Sequence, residues 1–228
     1  MAHLKRNEIG KFWAIPRKGT KYLALASHNA KDSIPLVVVM RNLLKLVKNK
    51  KELKRMLNEK AILINHKEIR ETNYPICLFD IITIPSTKQN FKATISESRK
   101  MIFEEVSNKE AETKIYKVLN KKLLSVKTIQ LNLSQGKNII SNEKTNTGDS
   151  IVLNLKDNKI LSIIPIEKGK IAFVLKGKHI GHSGKILEVL ERGGKKIAKI
   201  ESEGKRINVW VKNLIMVKWY KIKWEKLK

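Results

Sequence analysis

The sequence predicts an α+β multidomain protein: a basic N-terminal arm, a domain of two helices and a hairpin, a central small antiparallel β domain, and a small C-terminal β barrel. Three observations predict it. Apolar residues recur at helical spacing only between about residues 34 and 57, they alternate with period two from about residue 113, and glycines and prolines cut the rest into short segments. A length of 228 residues suits one large domain or two to three small ones.

The arm, residues 1–32, holds Phe12, Trp13 and Tyr22 without sustained periodicity, and Pro16 and Gly19 interrupt any helix. It is expected to be extended, with little core of its own; its aromatics either stack on bases or, the stronger reading, pin the arm to the next domain. In residues 33–90, Ser33 suits a helix cap and Pro35 a first turn. Val37, Met40, Leu43, Leu44 and Val47 then predict a helix over 34–47. After Lys48-Asn49-Lys50-Lys51 a second short helix sets Leu53, Met56 and Leu57 on one side and turns Lys54 and Arg55 away. Ala61–Ile64, Asn65-His66 and Lys67–Arg70 read as strand, tight turn and strand, and a strand over Cys77–Ile84 closes the unit.

Residues 91–168 form the central β domain. Ile129, Leu131 and Leu133 alternate with polar residues, and strands follow at 151–155 and 160–166 around the turn Asp157-Asn158. In residues 169–217 the runs 171–175, 185–190, 195–200 and 205–211, cut by glycines, fit a small SH3-like barrel. The tail, residues 218–228, alternates lysine with Trp219, Tyr220 and Trp224.

The chain has 48 Lys and Arg against 21 Asp and Glu, a formal charge of +27. Forty of the 48 are lysine, which AT-rich codon usage explains; the scarcity of acids it does not explain. The excess is +6 over 1–31, +5 over 32–90, +6 over 91–170 and +10 over 171–228, so it runs through folded sequence and is no detachable tail. A polyanion contacted along most of the molecule is implied, nucleic acid first and an anionic membrane second. The apolar run 34–40 is too short to span a bilayer, no signal-peptide core follows Met1, and the β-rich second half argues against a membrane surface. A soluble, intracellular protein with no membrane partner is expected. The one cysteine, Cys77, is taken to exclude intramolecular disulfides and zinc sites of the four-ligand kind, and in its apolar run it reads as a buried inert thiol. His3, His28 and His66 lack metal-ligand spacing, and the adjacent Glu104 and Glu105 should diverge toward solvent. No catalytic set, metal site, cofactor or small-molecule substrate is expected.

The segment from Ser33 to about Ile84 resembles the S-four RNA-binding domain, in which two packed helices offer a basic face to folded RNA. The resemblance puts Arg41, Asn42, Lys45, Lys54 and Arg55 on or near that face, and 41 and 45, four apart on a helix, share a side. Lys176-Gly177-Lys178-His179-Ile180-Gly181-His182-Ser183-Gly184-Lys185-Ile186 is similar to a KOW motif, the glycine-spaced loop between the first two strands of a small RNA- or protein-binding barrel. The same loop spells the His-Ile-Gly-His tetrapeptide of class I aminoacyl-tRNA synthetases. There the tetrapeptide opens a helix in a large Rossmann fold, and the 46 residues that follow it here cannot hold one. Nor is there the Arg-Leu-Asp tripeptide of pseudouridine synthases, which also use S-four domains.

In order, His3-Leu4-Lys5-Arg6 with Trp13, Ser33-Ile34-Pro35-Leu36, Arg41–Lys45, Thr72-Asn73-Tyr74-Pro75, Asp80-Ile81-Ile82, Asn90-Phe91, Gly148–Ile151 and the KOW-like loop resemble the archaeal and eukaryotic S-four-e family of small-subunit ribosomal proteins over nearly the whole chain. One departure is Asn65-His66-Lys67, where the family tends to have Asp-Gly-Lys, which puts the turn type in question. The length favours an archaeal source. The resemblance implies a non-catalytic constituent of the small ribosomal subunit that binds and stabilises small-subunit rRNA beside neighbouring ribosomal proteins, in the cytoplasm, supporting translation. RNA contacts are expected from Lys5, Arg6, Trp13, Arg17, Lys18, Arg41, Asn42, Lys45, Lys54, Arg55, Lys67, Arg70, Lys176, Lys178, His179, His182 and Lys185. The alternative is a KOW-containing regulator of transcription or translation that works through a protein partner.

Overall fold

The computed structural model describes residues 3–125, 128–202 and 204–218, and antiparallel strands dominate it, with few helices. Residues up to Lys114 together with Leu153–Lys159 form one compact unit, and Ile115–Val152 with Ile160 onward form a second.

The first unit opens with strands β1 (Leu4–Lys5) and β2 (Tyr22–Leu23), which pair antiparallel. Arg6 ties their connection: its Nε donates to Thr20 O at 2.8 Å and its Nη1 to Pro16 O at 2.7 Å. Trp13 is 5% exposed and packs in the unit's core with Leu4, Ile9, Phe12 and Leu23 against it, and the Met101 N–H donates to Phe12 O at 2.7 Å. The arm is therefore pinned down rather than extended. Its apolar residues anchor one at a time along an irregular path, which leaves no period to read.

Strand β3 (Ser33–Pro35) occupies the place of the expected helix start, and Ser33 Oγ donates to Asn29 O at 2.8 Å instead of capping a helix. Helix α1 (Leu36–Val38) runs into a wide π turn, Val39–Leu43, closed by the Leu44 N–H on Val39 O at 2.9 Å. Lys45 then adopts φ 55° and ends it, so the helix predicted over 34–47 is shorter at both ends. The β-branched run Val37-Val38-Val39 disfavours a longer regular helix, and the burial of every residue from Leu36 to Met40 makes this a core segment with no polar stripe. Helix α2 (Lys50–Asn58) matches its prediction. The Asn49 side chain accepts the Glu52 N–H at 3.0 Å as an N-cap, Leu53 and Leu57 are buried, and Lys54 and Arg55 lie outside.

Strands β4 (Leu63–Ile64) and β5 (Lys67–Glu68) make the expected hairpin, with φ of 51° at Asn65 and 60° at His66, the positive pair that a two-residue I′ turn requires. The run 77–84 is two strands: β6 (Pro75–Cys77) pairs with β3, a turn with Phe79 at φ 63° follows, and β7 (Ile81–Ile84) joins a different sheet. That sheet continues past Ile84 through β8 (Gln89–Ile95) and β9 (Met101–Glu105), in the order β5-β4-β7-β8-β9. Both faces of β8 are covered, Lys92 and Thr94 as well as Ala93 and Ile95, so the period-two signal is missing there. A short helix α3 (Asn108–Ala111) completes the stretch, and Ala111 packs with Ile81 and Leu155.

In the second unit β10 (Thr113–Leu123), β11 (Ile129–Leu133), β12 (Asn138–Ser141), β13 (Ser150–Asn154) and β14 (Ile160–Ile164) form a sheet of order β12-β11-β10-β13-β14; the chain passes between the units within β10 and β13. Five more strands, β15 (Ile171–Val174), β16 (Ser183–Arg192), β17 (Lys195–Ser202), β18 (Lys205–Trp210) and β19 (Leu214–Val217), form an antiparallel sheet of order β18-β17-β16-β15-β19. Val152, Ile164 and Ile166 share one interior with Ala172, Ile186, Ile200, Val209 and Met216, and the Met216 N–H donates to Ser150 Oγ at 2.7 Å. The aromatic tail beyond Lys218 lies outside the described residues.

Candidate nucleic-acid interface

Of the cations expected to meet RNA, Lys5, Arg17, Lys18, Arg41, Lys45, Lys54, Arg55, Lys67 and Arg70 are all exposed, as is Asn42. Two expected contacts are not offered in the same way. Trp13 is buried in the core, so its ring faces no base, and Arg6 is half-buried with its guanidinium spent on Pro16 and Thr20. Arg41 and Lys45 do not share a helix side, because the π turn and the left-handed Lys45 come between them; Arg41 Nε donates to Asn42 Oδ1 at 3.1 Å. On α2, Arg55 pairs with Glu59 at 2.8 Å with both side chains mostly exposed, an arrangement that yields readily to a phosphate.

The hairpin turn before Lys67 is fastened from behind. Asn65 Nδ2 donates to Asp80 Oδ1 at 2.6 Å, Asn65 Oδ1 accepts the Ile81 N–H at 3.0 Å, and His66 Nε2 lies 3.0 Å from Ala111 O. Asn-His therefore keeps the tight-turn geometry that Asp-Gly would give, and its side chains point into the unit.

In the second unit the loop between β15 and β16 places Lys176 and Lys178 at the surface, as β16 does Lys185, and leaves His179 and His182 half-buried, ring centroids 6.2 Å apart. Gly177 and Gly181 take φ of 104° and 89°. Gly184 is needed for closeness instead, since a Cβ there would come within 2.2 Å of Glu201 O on β17. The His-Ile-Gly-His tetrapeptide lies in this turn between strands and opens no helix.

Three lysines that composition counts with the surface excess are inside. Lys114 is paired with Asp80, with side chains 1% and 5% exposed. Lys117 Nζ donates to Val211 O at 2.5 Å, Lys212 O at 3.0 Å and Leu214 O at 2.6 Å, three acceptors that suit its three N–H groups. Burial, with Lys212 nearby, brings its pKa down to about 8. Lys92 is likewise lowered to about 8 by burial, against the pull of Glu110 and Glu104. Glu104 does diverge from Glu105, but inward: it stands opposite Lys92 on β8, and burial raises its pKa. Cys77 is buried, and its thiol is pushed up to about 11 by burial and by Asp80. Among the described residues no cluster of three or more His, Cys, Asp or Glu could hold a metal, and no helix is long and apolar enough to cross a membrane.

The family described as "Ribosomal family S4e" matches residues 87–160. The "Small ribosomal subunit protein eS4" of Methanospirillum hungatei is 33% identical over 225 residues, covering 94% of this chain and 93% of that protein. The protein of that name from Methanocella arvoryzae is 35% identical over 190 residues, 82% of this chain and 80% of that one, and the one from Nanoarchaeum equitans is 27% identical over 94% of both. A crystal structure of the 30S ribosomal protein S4e from Thermoplasma acidophilum superposes with a TM-score of 0.71 at 22% identity, covering 82% of this chain and 95% of that one, which is a likeness of fold. With a third of its residues identical along nearly the full length of both chains, this protein belongs to the S4e family of ribosomal proteins.

Proposed function

We propose that the chain is a structural constituent of the small ribosomal subunit, of archaeal type, that binds and stabilises small-subunit rRNA in the cytoplasmic ribosome and so supports translation. The observation that carries this reading is the similarity to small ribosomal subunit proteins along almost the entire chain. The exposed cations support it, set on folded elements of both units rather than on a tail. We read α1, α2 and the β4–β5 hairpin as an S-four-type domain, and β15–β19 as an SH3-like KOW barrel. Lysines neutralise phosphates with release of counterions while the folded units recognise RNA shape, and sequence readout is minor. No catalytic role is assigned, and rRNA and neighbouring small-subunit proteins are the partners.

The test is sedimentation of tagged protein from lysate through sucrose gradients at low salt and at several hundred millimolar salt. Co-migration with the small subunit that survives high salt is expected. Migration near the top of the gradient, or release at modest salt, would overturn the reading in favour of a transient regulator with a protein partner.

A further inference from the structure

From Arg206 on, the residues of β18 alternate: Val209 is buried and Ile207 half-buried against the core, while Arg206, Asn208 and Trp210 face the other way and are exposed. Period two calls for polar residues on that outer register, yet its last position is a tryptophan, 50% exposed. The register across the sheet places Leu190 opposite Ile197 and Ile197 opposite Trp210, so these three make one outward row across β16, β17 and β18. Lys195 Nζ stands 4.9 Å from the centre of the Trp210 ring, and Arg192 lies opposite Lys195. On the other side of the row come Glu188, Lys199 and Asn208, then Lys185, Glu201 and Arg206. Glu188 is taken up by Lys199 at 2.8 Å. The outer face thus carries five cations against two carboxylates, one of them already paired.

We infer that the row Leu190–Ile197–Trp210 is a nucleobase-stacking platform that takes an unpaired stretch of rRNA, with Lys195 and Arg192 placed for the phosphates of the same strand. The inference rests on the ribosomal reading above and adds to it a site on the outer face of this sheet. An indole presents a flat π-surface on which any base can stack, and alternating aromatics and cations are how single strands are held without sequence preference. Lys195 now occupies the ring face as a cation–π partner; when a base takes that face, the flexible lysine moves the short distance to a phosphate. A protein partner fits the face less well. The apolar row is one residue wide, whereas a stable protein contact buries roughly 800 Å² on each side around an apolar centre.

The experiment measures binding of the full chain to transcribed archaeal small-subunit rRNA over a salt series. Trp210→Leu, which keeps apolar bulk and removes the π-face, is expected to weaken binding roughly tenfold with an unchanged salt slope, and Trp210→Phe to restore most of it. Lys195→Ala is expected to make the slope of log K against log salt shallower by about one. Tight wild-type binding with Trp210→Leu unaltered would overturn this inference alone, whereas failure of the wild type to bind rRNA would overturn the ribosomal reading with it. Normal rRNA binding by Trp210→Leu coupled to failed incorporation into subunits would mean that the row meets a protein, and would also overturn the inference. Should Trp210→Leu lose its fold by circular dichroism, Lys195→Ala decides, and an unchanged slope sinks the proposal.

Discussion

Replacing Lys114 by methionine removes the cation paired with Asp80 and leaves the rest of the site in place. Asp80 is 4% exposed; its Oδ1 accepts from Lys114 and from Asn65 Nδ2, and its Oδ2 accepts the Cys77 N–H at 2.6 Å. Without Lys114 the buried carboxylate keeps two neutral donors, and loss of one partner of such a pair costs about 3–5 kcal/mol. Cys77 supplies the assay. It is the only cysteine, it is 6% exposed in the same unit, and a thiol held at about 11 reacts only when the unit opens. Labelling with a thiol reagent under native conditions should therefore speed up by between roughly a hundredfold and a few thousandfold in Lys114→Met. Adding Asp80→Asn to that variant should recover part of the loss, since an amide leaves no unpaired charge behind. An acceleration below about fivefold would refute the reasoning, because it would mean that Asp80 does not depend on Lys114 to stay buried.

Lys92 and Lys117 are held at about 8 in the folded protein, against 10.5 for an ordinary lysine. Between these values the unfolded chain binds protons that the folded one does not, so stability rises with pH from about 8 toward 10, by up to about 3 kcal/mol for each lysine over the whole window. Urea midpoints across that range should climb, and Lys92→Met should climb less; parallel curves would show that Lys92 does not contribute. On α2, changing Lys54 and Arg55 together to Ala should weaken rRNA binding and reduce its salt slope by about one to two. An unchanged slope would take that helix face out of the interface.

Where one face of a segment is wet, the sequence was legible. Helix α2, the Asn65-His66 hairpin and strands β17 and β18 show their pattern because solvent-facing residues differ from core-facing ones. Where both faces are covered, the signal failed: Leu36 to Met40 imitated an amphipathic helix, and β8 went unread. The stretch Lys114–Val118 is buried throughout, yet it contains two lysines whose partners lie 34 and about 95 residues away in sequence, a pairing that no local pattern announces. The site was legible in kind but not residue by residue. Counting charge found the partner class, whereas only the fold separates an offered cation such as Lys54 from one such as Lys117 that holds the protein together.

The segment Leu153–Lys159 belongs to the unit that the chain leaves at Lys114, with Leu155 packed on Ile81 and Ala111 and Lys156 paired with Glu112 at 2.5 Å. For a chain made from its N-terminus, this ordering imposes a wait. At about 5–20 residues per second, the roughly 45 residues after Lys114 take about 2–9 seconds to synthesise. Through that interval the nascent N-terminal unit shows a gap where Leu155 will sit, and it reaches its finished state only once part of its successor has been made. A truncated chain released in that window would keep an exposed apolar seam, a mark by which quality control could tell it from the whole protein.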